Sequence, residues 1–145
     1  LVPGGWNKIA IPVSAFKTVK PEKGTRLQSV RLFADRADIF YVSRISLVVD
    51  NAPMRLAIAA NPQDVRTGQA VKFFADVAAG DAITLVNWDF DAADGIQTNA
   101  QGDEVEWVYK QPGTYTVTCT AEDVYGNKEA VKQTLQIRVT GAEVL

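Results

Sequence analysis

The most constraining feature of this sequence is a strict two-residue alternation between residues 114 and 121. Tyr115, Val117, Cys119 and Ala121 occupy one set of alternate positions, and threonines occupy the other set. Successive side chains of a β-strand point to opposite faces, so this pattern predicts a strand with one face in a core and one polar face. Long amphipathic helical patterns are absent from the sequence, which favours an all-β fold.

Five further segments between residues 56 and 139 alternate in the same way. Their apolar positions are Leu56 and Ile58; Val71, Phe73, Ala75 and Val77; Val86, Trp88 and Phe90; Val105, Trp107 and Tyr109; and Leu135, Ile137 and Val139. Turn-forming pairs separate the segments, among them Gly80-Asp81, Gln101-Gly102 and Pro112-Gly113. About seven short strands at this spacing predict an immunoglobulin-like antiparallel β-sandwich of two sheets.

Charge divides the chain near the turn-forming cluster Asp50 to Pro53. Residues 1–53 hold eight basic and four acidic side chains, and residues 54–145 hold seven basic and thirteen acidic ones. We therefore predict two domains, residues 1–53 and residues 54–145. The total charge of −2 gives no reason to expect a nucleic-acid partner. No apolar run reaches the length of about 18 residues that a membrane span needs.

The first of these parts contains a segment that it cannot bury alone. The run from Ile39 to Val49 is apolar at both parities, which is typical of a strand buried on both faces. Shorter alternating segments occur from Ile9 to Val13 and from Val30 to Leu32, but three strands in about 50 residues make a marginal core. Because the sequence starts at Leu1 rather than Met, we expect a fragment or a processed product.

Three motifs in residues 54–145 resemble those of the PKD domain, a β-sandwich module named for its repeats in polycystin. They are Trp88-Asp89-Phe90, Pro112-Gly113-Thr114-Tyr115-Thr116-Val117, and Asp123 with Gly126 close behind. Their order and spacing agree with the family over roughly residues 55–140. One difference is clear: the family usually has Gly-Asp-Gly directly after the Phe, whereas Asp91-Ala92-Ala93-Asp94-Gly95 follows here and lengthens the turn.

Residues 1–53 resemble the C-terminal portion of a jelly-roll, carbohydrate-binding-like domain. The segment from Gly5 to Phe16 is similar to a late strand of such a domain, and the segment from Phe40 to Asp50 is similar to its final strand. This resemblance implies a partial β-sandwich before the PKD-like domain. Its missing part would come from another chain, or the segment would pack in a non-native way.

The motif residues have structural interpretations. Trp88 and Phe90 lie two positions apart, so both rings point to one sheet face and fill the space between the sheets. Tyr115 resembles the tyrosine-corner residue, whose hydroxyl binds the backbone upstream. Cys119 alternates with apolar neighbours and is interpreted as a small buried hydrophobe, without the electropositive surroundings that a reactive thiol needs.

Four acidic residues form the candidate metal site. Asp89, Asp91 and Asp94 surround one turn, and we expect Asp123 near them. Clustered carboxylates and loop carbonyls can supply the about six to eight oxygens that calcium takes, and some PKD-like modules bind calcium. In the simpler interpretation, which we favour, Asp89 caps backbone amides and the others are solvated turn residues, so that no cofactor is needed.

Catalysis is not expected of this chain. It has no histidine, which excludes Ser-His-Asp and Cys-His machinery and imidazole metal ligands. Paired carboxylates that hydrolyse glycosides need a groove, and the sequence gives no sign of one. The candidate sugar-stacking residues are the aromatics Trp6, Phe74 and Tyr125, whereas Trp107 and Tyr109 share the core parity of Val105.

The sequence thus predicts a non-catalytic accessory module of a secreted or cell-surface protein. It would act as a spacer, or as a weak binding module for polysaccharide or a cell-surface protein, in an extracellular or cell-surface setting. Two alternatives remain open. In one, a strand from a neighbouring chain completes the partial sandwich and builds an oligomer. In the other, the chain is a dedicated carbohydrate-binding module of a polysaccharide-degrading enzyme.

Overall fold

The computed structural model describes residues 5–16, 26, 28–33, 35, 39 and 41–141. The chain forms two compact units, one of residues 1–10 with 51–145 and one of residues 11–50. Phe40 of the doubly apolar run lies outside the described residues. The boundary that we place between residues 53 and 54 stays a prediction.

The larger unit is built from eight strands within its described residues. They are β1 (Arg55–Asn61), β2 (Asp64–Arg66), β3 (Ala70–Ala78), β4 (Thr84–Asp89), β5 (Ala100–Gln101), β6 (Glu104–Val108), β7 (Gly113–Asp123) and β8 (Val131–Thr140). One sheet has the order β1-β3-β6, and the other has the order β2-β8-β7-β4-β5. The predicted all-β sandwich is confirmed.

Two features of the sandwich differ from the sequence prediction. Strand β2 pairs parallel with β8, whereas the other pairs are antiparallel. Strands β2 and β5 have three and two residues, which is too short for an alternation to be recognised. Side-chain periodicity also carries no information on strand direction, so the parallel pair could not be predicted from the pattern.

Strand β7 lies at the centre of the five-stranded sheet, between β8 and β4. Its register places Cys119 opposite Trp88 of β4 and Val117 opposite Leu135 of β8. Val117, Cys119 and Ala121 are fully buried, as the alternation predicts. The other face of the strand is less exposed than the alternation predicts. Thr114 is exposed there, but Thr118 is buried.

Aromatic rings fill the space between the two sheets. The Phe73 ring of β3 packs against the Trp88 and Phe90 rings, with centroids 5.5 and 5.0 Å away. The Trp107 ring of β6 stacks on Phe90 at 4.5 Å. Offset and tilted arrangements at these distances add specific ring attraction to the burial of apolar surface. The predicted core role of Trp88, Phe90 and Trp107 is confirmed.

The one polar atom of the central Trp88 ring is satisfied by the turn that leads from β5 to β6. Its Nε1 donates to the Gly102 carbonyl at 2.9 Å, and the Gly102 amide donates to the Val86 carbonyl at 3.1 Å. Gly102 has a φ of 129°, a conformation that side chains with a Cβ rarely adopt. The turn therefore needs glycine in order to bring this carbonyl to the indole.

Two tyrosines tie connections to the body of the sandwich. The Tyr115 hydroxyl donates to the Gln111 carbonyl at 3.0 Å, four residues upstream, which confirms the tyrosine-corner interpretation. The buried Tyr109 hydroxyl donates to the Phe90 carbonyl at 3.2 Å. Burial, and secondarily the Asp91 charge, raises the pKa of Tyr109 above its ordinary value. The two rings pack together at 4.3 Å.

Cys119 is fully buried in this core. Burial, followed by the Asp103 charge, raises the pKa of its thiol from 9.0 to about 12. The thiolate is the reactive form of cysteine, so this environment keeps the side chain inert. The interpretation of Cys119 as a small buried hydrophobe is confirmed.

The described residues of the first 50 positions contain a 3-10 helix at Val13–Ala15 and no β-strand. The strands expected from Ile9 to Val13, at Val30 to Leu32 and along the described part of Ile39 to Val49 are therefore not formed. Large apolar side chains stay exposed there, with Tyr41 at 81% and Val49 at 87%. A strand needs a partner edge for its backbone groups, and these segments have none in the described structure.

No helix among the described residues is long and apolar enough to cross a membrane.

The Tyr115 hydroxyl is predicted to stabilise the crossover before β7. The Tyr115→Phe variant loses a single hydrogen bond, so we expect its free energy of unfolding to fall by about 1 kcal/mol in urea titrations. Tyr125→Phe is the matched control, because Tyr125 is 43% exposed in a turn. Equal stability losses in the two variants would contradict the tyrosine corner.

The Cys119 thiol is predicted to resist alkylation in the folded protein. Its folded pKa of about 12 lies above the ordinary 9.0, so folding favours the neutral thiol. At pH 8 we expect iodoacetamide to label the native chain about a hundredfold more slowly than the urea-unfolded chain, as measured by mass spectrometry. By linkage, this group's contribution to stability is complete below pH 9.0 and falls as the pH rises towards about 12. Labelling of the native protein at the unfolded rate would contradict its burial.

Candidate functional site

The loop that follows β4 is held against the sheet by the Asp89 side chain. Asp89 is 2% exposed, and its Oδ1 accepts from the Asp91 amide at 3.0 Å while its Oδ2 accepts from the Gln97 amide at 3.2 Å. Asn99 completes the closure, because its Oδ1 accepts from the Phe90 amide at 2.9 Å. The capping role expected of Asp89 is confirmed, and its effect is to anchor both ends of this loop.

The other candidate acids divide into caps and solvated groups. Asp91 Oδ1 accepts from the Ala93 amide at 3.2 Å, at the start of a 3-10 helix at Ala92–Asp94. Asp123 accepts from the Tyr125 amide at 3.1 Å and the Asn127 amide at 2.9 Å. Asp94 is exposed. Asp91 and Asp123 therefore cap backbone amides as well. The sequence interpretation had assigned this capping role to Asp89 alone.

These four acids do not gather at one point. Asp89 pairs with Thr118 at one part of the β4–β7 ladder, whereas Asp123 pairs with Thr84 at its other end, five residues further along each strand. Within the described residues, no group of three or more acidic or thiol side chains is placed to hold a metal ion. Binding of calcium by Asp89, Asp91, Asp94 and Asp123 stays a prediction.

The anchored loop forms one wall of a groove on the outer face of the five-stranded sheet. The cavity has a volume of about 190 Å³ and is lined by Asn87, Asp89, Ile96, Gln97, Thr98, Thr118, Thr120 and Glu122. The register pairs Asp89 with Thr118 and Asn87 with Thr120, so these four side chains share the outer face and form the floor. Loop residues 96–98 stand beside that floor.

The lining of the groove is polar and acidic. It contains the carboxylates of Asp89 and Glu122, the side-chain amides of Asn87 and Gln97, and three threonine hydroxyls, and no basic side chain of the described residues lines it. The side chain of Ile96, which is 59% exposed, is its one apolar wall. A surface of this kind can exchange several hydrogen bonds with a ligand that carries both donors and acceptors.

The candidate aromatic residues lie apart from this groove, on three different elements. Trp6 is 77% exposed in the segment before the 3-10 helix, and Phe74 is 38% exposed on β3 opposite Glu104. Tyr125 lies in the turn after β7. Phe74 alternates with the buried Phe73 in β3 and so lies on the opposite, outer face of that strand. Binding of sugar by Trp6, Phe74 and Tyr125 stays a prediction.

Sequence reasoning did not predict this groove. The missed residues are Asn87, Ile96, Gln97, Thr98, Thr118, Thr120 and Glu122. Two signals in the sequence could have indicated it: the threonine parity of β7 and the lengthened turn after Phe90. Neither signal shows by itself that the loop folds back over the threonines, because that depends on the contacts of Asp89 and Asn99.

Asp89 is predicted to contribute more to stability than the other acids of its loop. Asp89→Asn keeps one oxygen acceptor and leaves one buried amide poorly paired, so we expect the free energy of unfolding to fall by about 1–3 kcal/mol. Asp94→Asn is the matched control, and we expect a change within about 0.5 kcal/mol because Asp94 is exposed.

Urea titration of both variants measures this difference. The same variants test the calcium prediction through the melting temperature, since a bound ion must stabilise the folded state. A rise in the melting temperature in millimolar calcium that Asp89→Asn abolishes would contradict a purely capping role.

Comparison with solved structures agrees with this architecture. The chain is 29% identical to a chain from a study of promiscuous specificity in carbohydrate-binding modules of the β-sandwich superfamily, with a TM-score of 0.53. The match covers 65% of this chain and 37% of the other, so this chain spans little more than a third of that protein. This neighbour fits the carbohydrate-binding-like resemblance of the segment before the PKD-like domain.

PKD domains of known structure are also similar to this chain. The PKD1 domain of Vibrio anguillarum Epp is 23% identical, with a TM-score of 0.45, and the match covers 63% of this chain and all of that domain. The PKD domain of the human VPS10 domain-containing receptor SorCS2 is 22% identical, with a TM-score of 0.48, over 80% of this chain and 98% of that domain.

The comparison with curated proteins finds no match. The family model of the PKD domain matches residues 55–136, which is more than half of the chain and includes all three motifs from which the resemblance was drawn. The chain therefore belongs to the PKD domain family.

Proposed function

We propose that this chain is a non-catalytic accessory module of a secreted or cell-surface protein and that it binds polysaccharide weakly while spacing its neighbours. The likeness to β-sandwich carbohydrate-binding modules, at 29% identity and a TM-score of 0.53, is the observation that carries the proposal. Membership of the PKD family supports an accessory role, because PKD domains are generally non-catalytic modules.

The chemistry of the described side chains supports a role in binding. The chain has no histidine, and its single cysteine is buried with a raised pKa. Of the two carboxylates in the groove, Asp89 already accepts two backbone hydrogen bonds. A general acid or base needs free access to a substrate proton, so this arrangement suits a structural role better than proton transfer.

The assembly alternative has its own support in the first 50 residues. Leu47, Tyr41 and Val49 are 67%, 81% and 87% exposed, respectively, although their pattern is typical of a doubly buried strand. Exposed apolar segments of this kind are suited to pairing with another chain. In that case the partner would be a neighbouring copy or a cell-surface protein rather than a polysaccharide.

Affinity electrophoresis in gels that contain neutral polysaccharides tests the proposal. We expect weak but reproducible retardation relative to serum albumin, with a Kd on the order of 1 mM, because the chain offers only small polar surfaces. Light scattering on the same sample gives the oligomeric state.

Two outcomes would contradict polysaccharide binding. An oligomer that plant, algal and chitin-like polymers all fail to retard would favour strand completion between chains. A monomer that none of them retards would leave the spacer role alone.

A further inference from the structure

The Thr118 hydroxyl is a largely buried polar group that has no hydrogen-bond partner among the residues that the structure describes. Thr118 is 3% exposed on the central strand β7, and its side chain forms part of the floor of the groove. Its hydroxyl makes no hydrogen bond to any part of the chain that the structure describes. Every described side-chain oxygen or nitrogen that is sealed from solvent has a hydrogen-bond partner. Because the Thr118 hydroxyl has no partner, it must be accessible to solvent, and it opens into the groove.

The neighbouring groups have unused hydrogen-bonding capacity of both kinds. Asn87 uses its Oδ1 to accept from Gln101 at 2.8 Å, which leaves its amide hydrogens available. The Thr120 hydroxyl can donate and accept, and the Glu122 carboxylate only accepts. The groove thus offers both donors and acceptors, which is the complement of a ligand whose hydroxyls do both.

Size and charge narrow the class of ligand. A cavity of about 190 Å³ is smaller than the roughly 300–1,000 Å³ of most small-molecule sites, so it holds a single ring rather than a large ligand. Among the residues that the structure describes, two carboxylates and no basic side chain line it, which disfavours anionic sugars. The exposed Ile96 side chain can cover the apolar face of a ring.

The wall of the groove is specific to the long loop of this chain. Residues 96–98 occupy their place because the loop after Phe90 is extended by Asp91-Ala92-Ala93-Asp94-Gly95 and then returns to Asp89 through the Gln97 amide. A shorter turn directly after Phe90 would not carry Ile96 and Thr98 past the threonines of β7.

From these observations we propose that the groove binds one sugar ring of a neutral polysaccharide. The hydroxyls of Thr118 and Thr120, the Asn87 amide and the Glu122 carboxylate exchange hydrogen bonds with the ring hydroxyls, and Ile96 packs against the ring. This inference rests on the proposed function and adds to it the site and the class of sugar. It differs from stacking on Trp6, Phe74 and Tyr125, which lie on other elements.

The test is affinity electrophoresis of the full chain in soluble β-glucan, galactomannan and xylan, with polygalacturonate as the anionic probe. Thr118→Val removes the hydroxyl and keeps the shape, and we expect about a three- to tenfold loss of affinity for the neutral polymer that retards the wild type. Thr114→Val is the matched control on the same face of the same strand, exposed and outside the groove, and we expect an unchanged affinity.

A second variant tests the groove at an exposed position, in case the substitution at the buried Thr118 impairs folding. Ile96 lies in an exposed loop, so Ile96→Asp leaves the core intact while it adds a third carboxylate and removes the apolar wall. We expect this variant to melt within a few degrees of the wild type and to lose retardation by the neutral polymer.

The outcomes separate this inference from the proposed function. If a neutral polymer retards the wild type and both groove variants equally, the groove assignment is wrong and polysaccharide binding stands. If no polymer retards the wild type, both are wrong. Preferential retardation by polygalacturonate, or shifts of groove resonances by a lysine-containing peptide and not by the neutral polymers, would also overturn the assignment.

Discussion

Packing of the Trp88 ring between the two sheets is the contact on which the rest of the sandwich depends. Its indole contacts Phe73 of the opposite sheet, and its Nε1 binds the Gly102 carbonyl. One side chain therefore joins the sheets and holds the turn between β5 and β6. Because strand residues alternate between faces, the position of Trp88 also directs Asn87 and Asp89 outwards.

That alternation connects the core with the groove. Trp88 lies opposite Cys119 on the inner face, and Asp89 lies opposite Thr118 on the outer face. A one-residue slip in the β4–β7 register would place Asp89 in the core and Trp88 in solvent, so the aromatic packing also determines the floor of the groove. The rigidity of the groove comes from β4 and β7, whereas its wall comes from the Asp89-anchored loop.

The buried polar side chains of β4 and β7 fall into two kinds. The Thr118 hydroxyl has no hydrogen-bond partner in the described part of the chain but stays accessible to solvent through the groove, since no described side-chain oxygen is both sealed and unpaired. Asp89 and Asp123, in contrast, are buried with both oxygens paired to backbone amides. The paired acids stabilise loops, while the unpaired hydroxyl of Thr118 is free to bind a ligand.

Six of the strands, the core aromatics, the tyrosine corner and the buried cysteine could all be predicted from the sequence. Each of them depends on local alternation or on a short motif such as Trp88-Asp89-Phe90, in which the residue types themselves indicate which side chains face the core. The short strands β2 and β5 could not be predicted, because two or three residues carry no period. The strands expected in the first 50 residues failed for another reason: an apolar pattern forms a strand only where a partner edge accepts its backbone hydrogen bonds.

The sequence by itself determined which residues of the sandwich face inwards, because side-chain parity along a strand is a local property. Only the tertiary structure decided where the loop after Phe90 folds and hence that Ile96, Gln97 and Thr98 stand beside Thr118 and Thr120. These residues are about twenty positions apart in the sequence. Their proximity depends on the pairing of β4 with β7 and on the hydrogen bonds of Asp89 and Asn99, which side-chain periodicity cannot reveal.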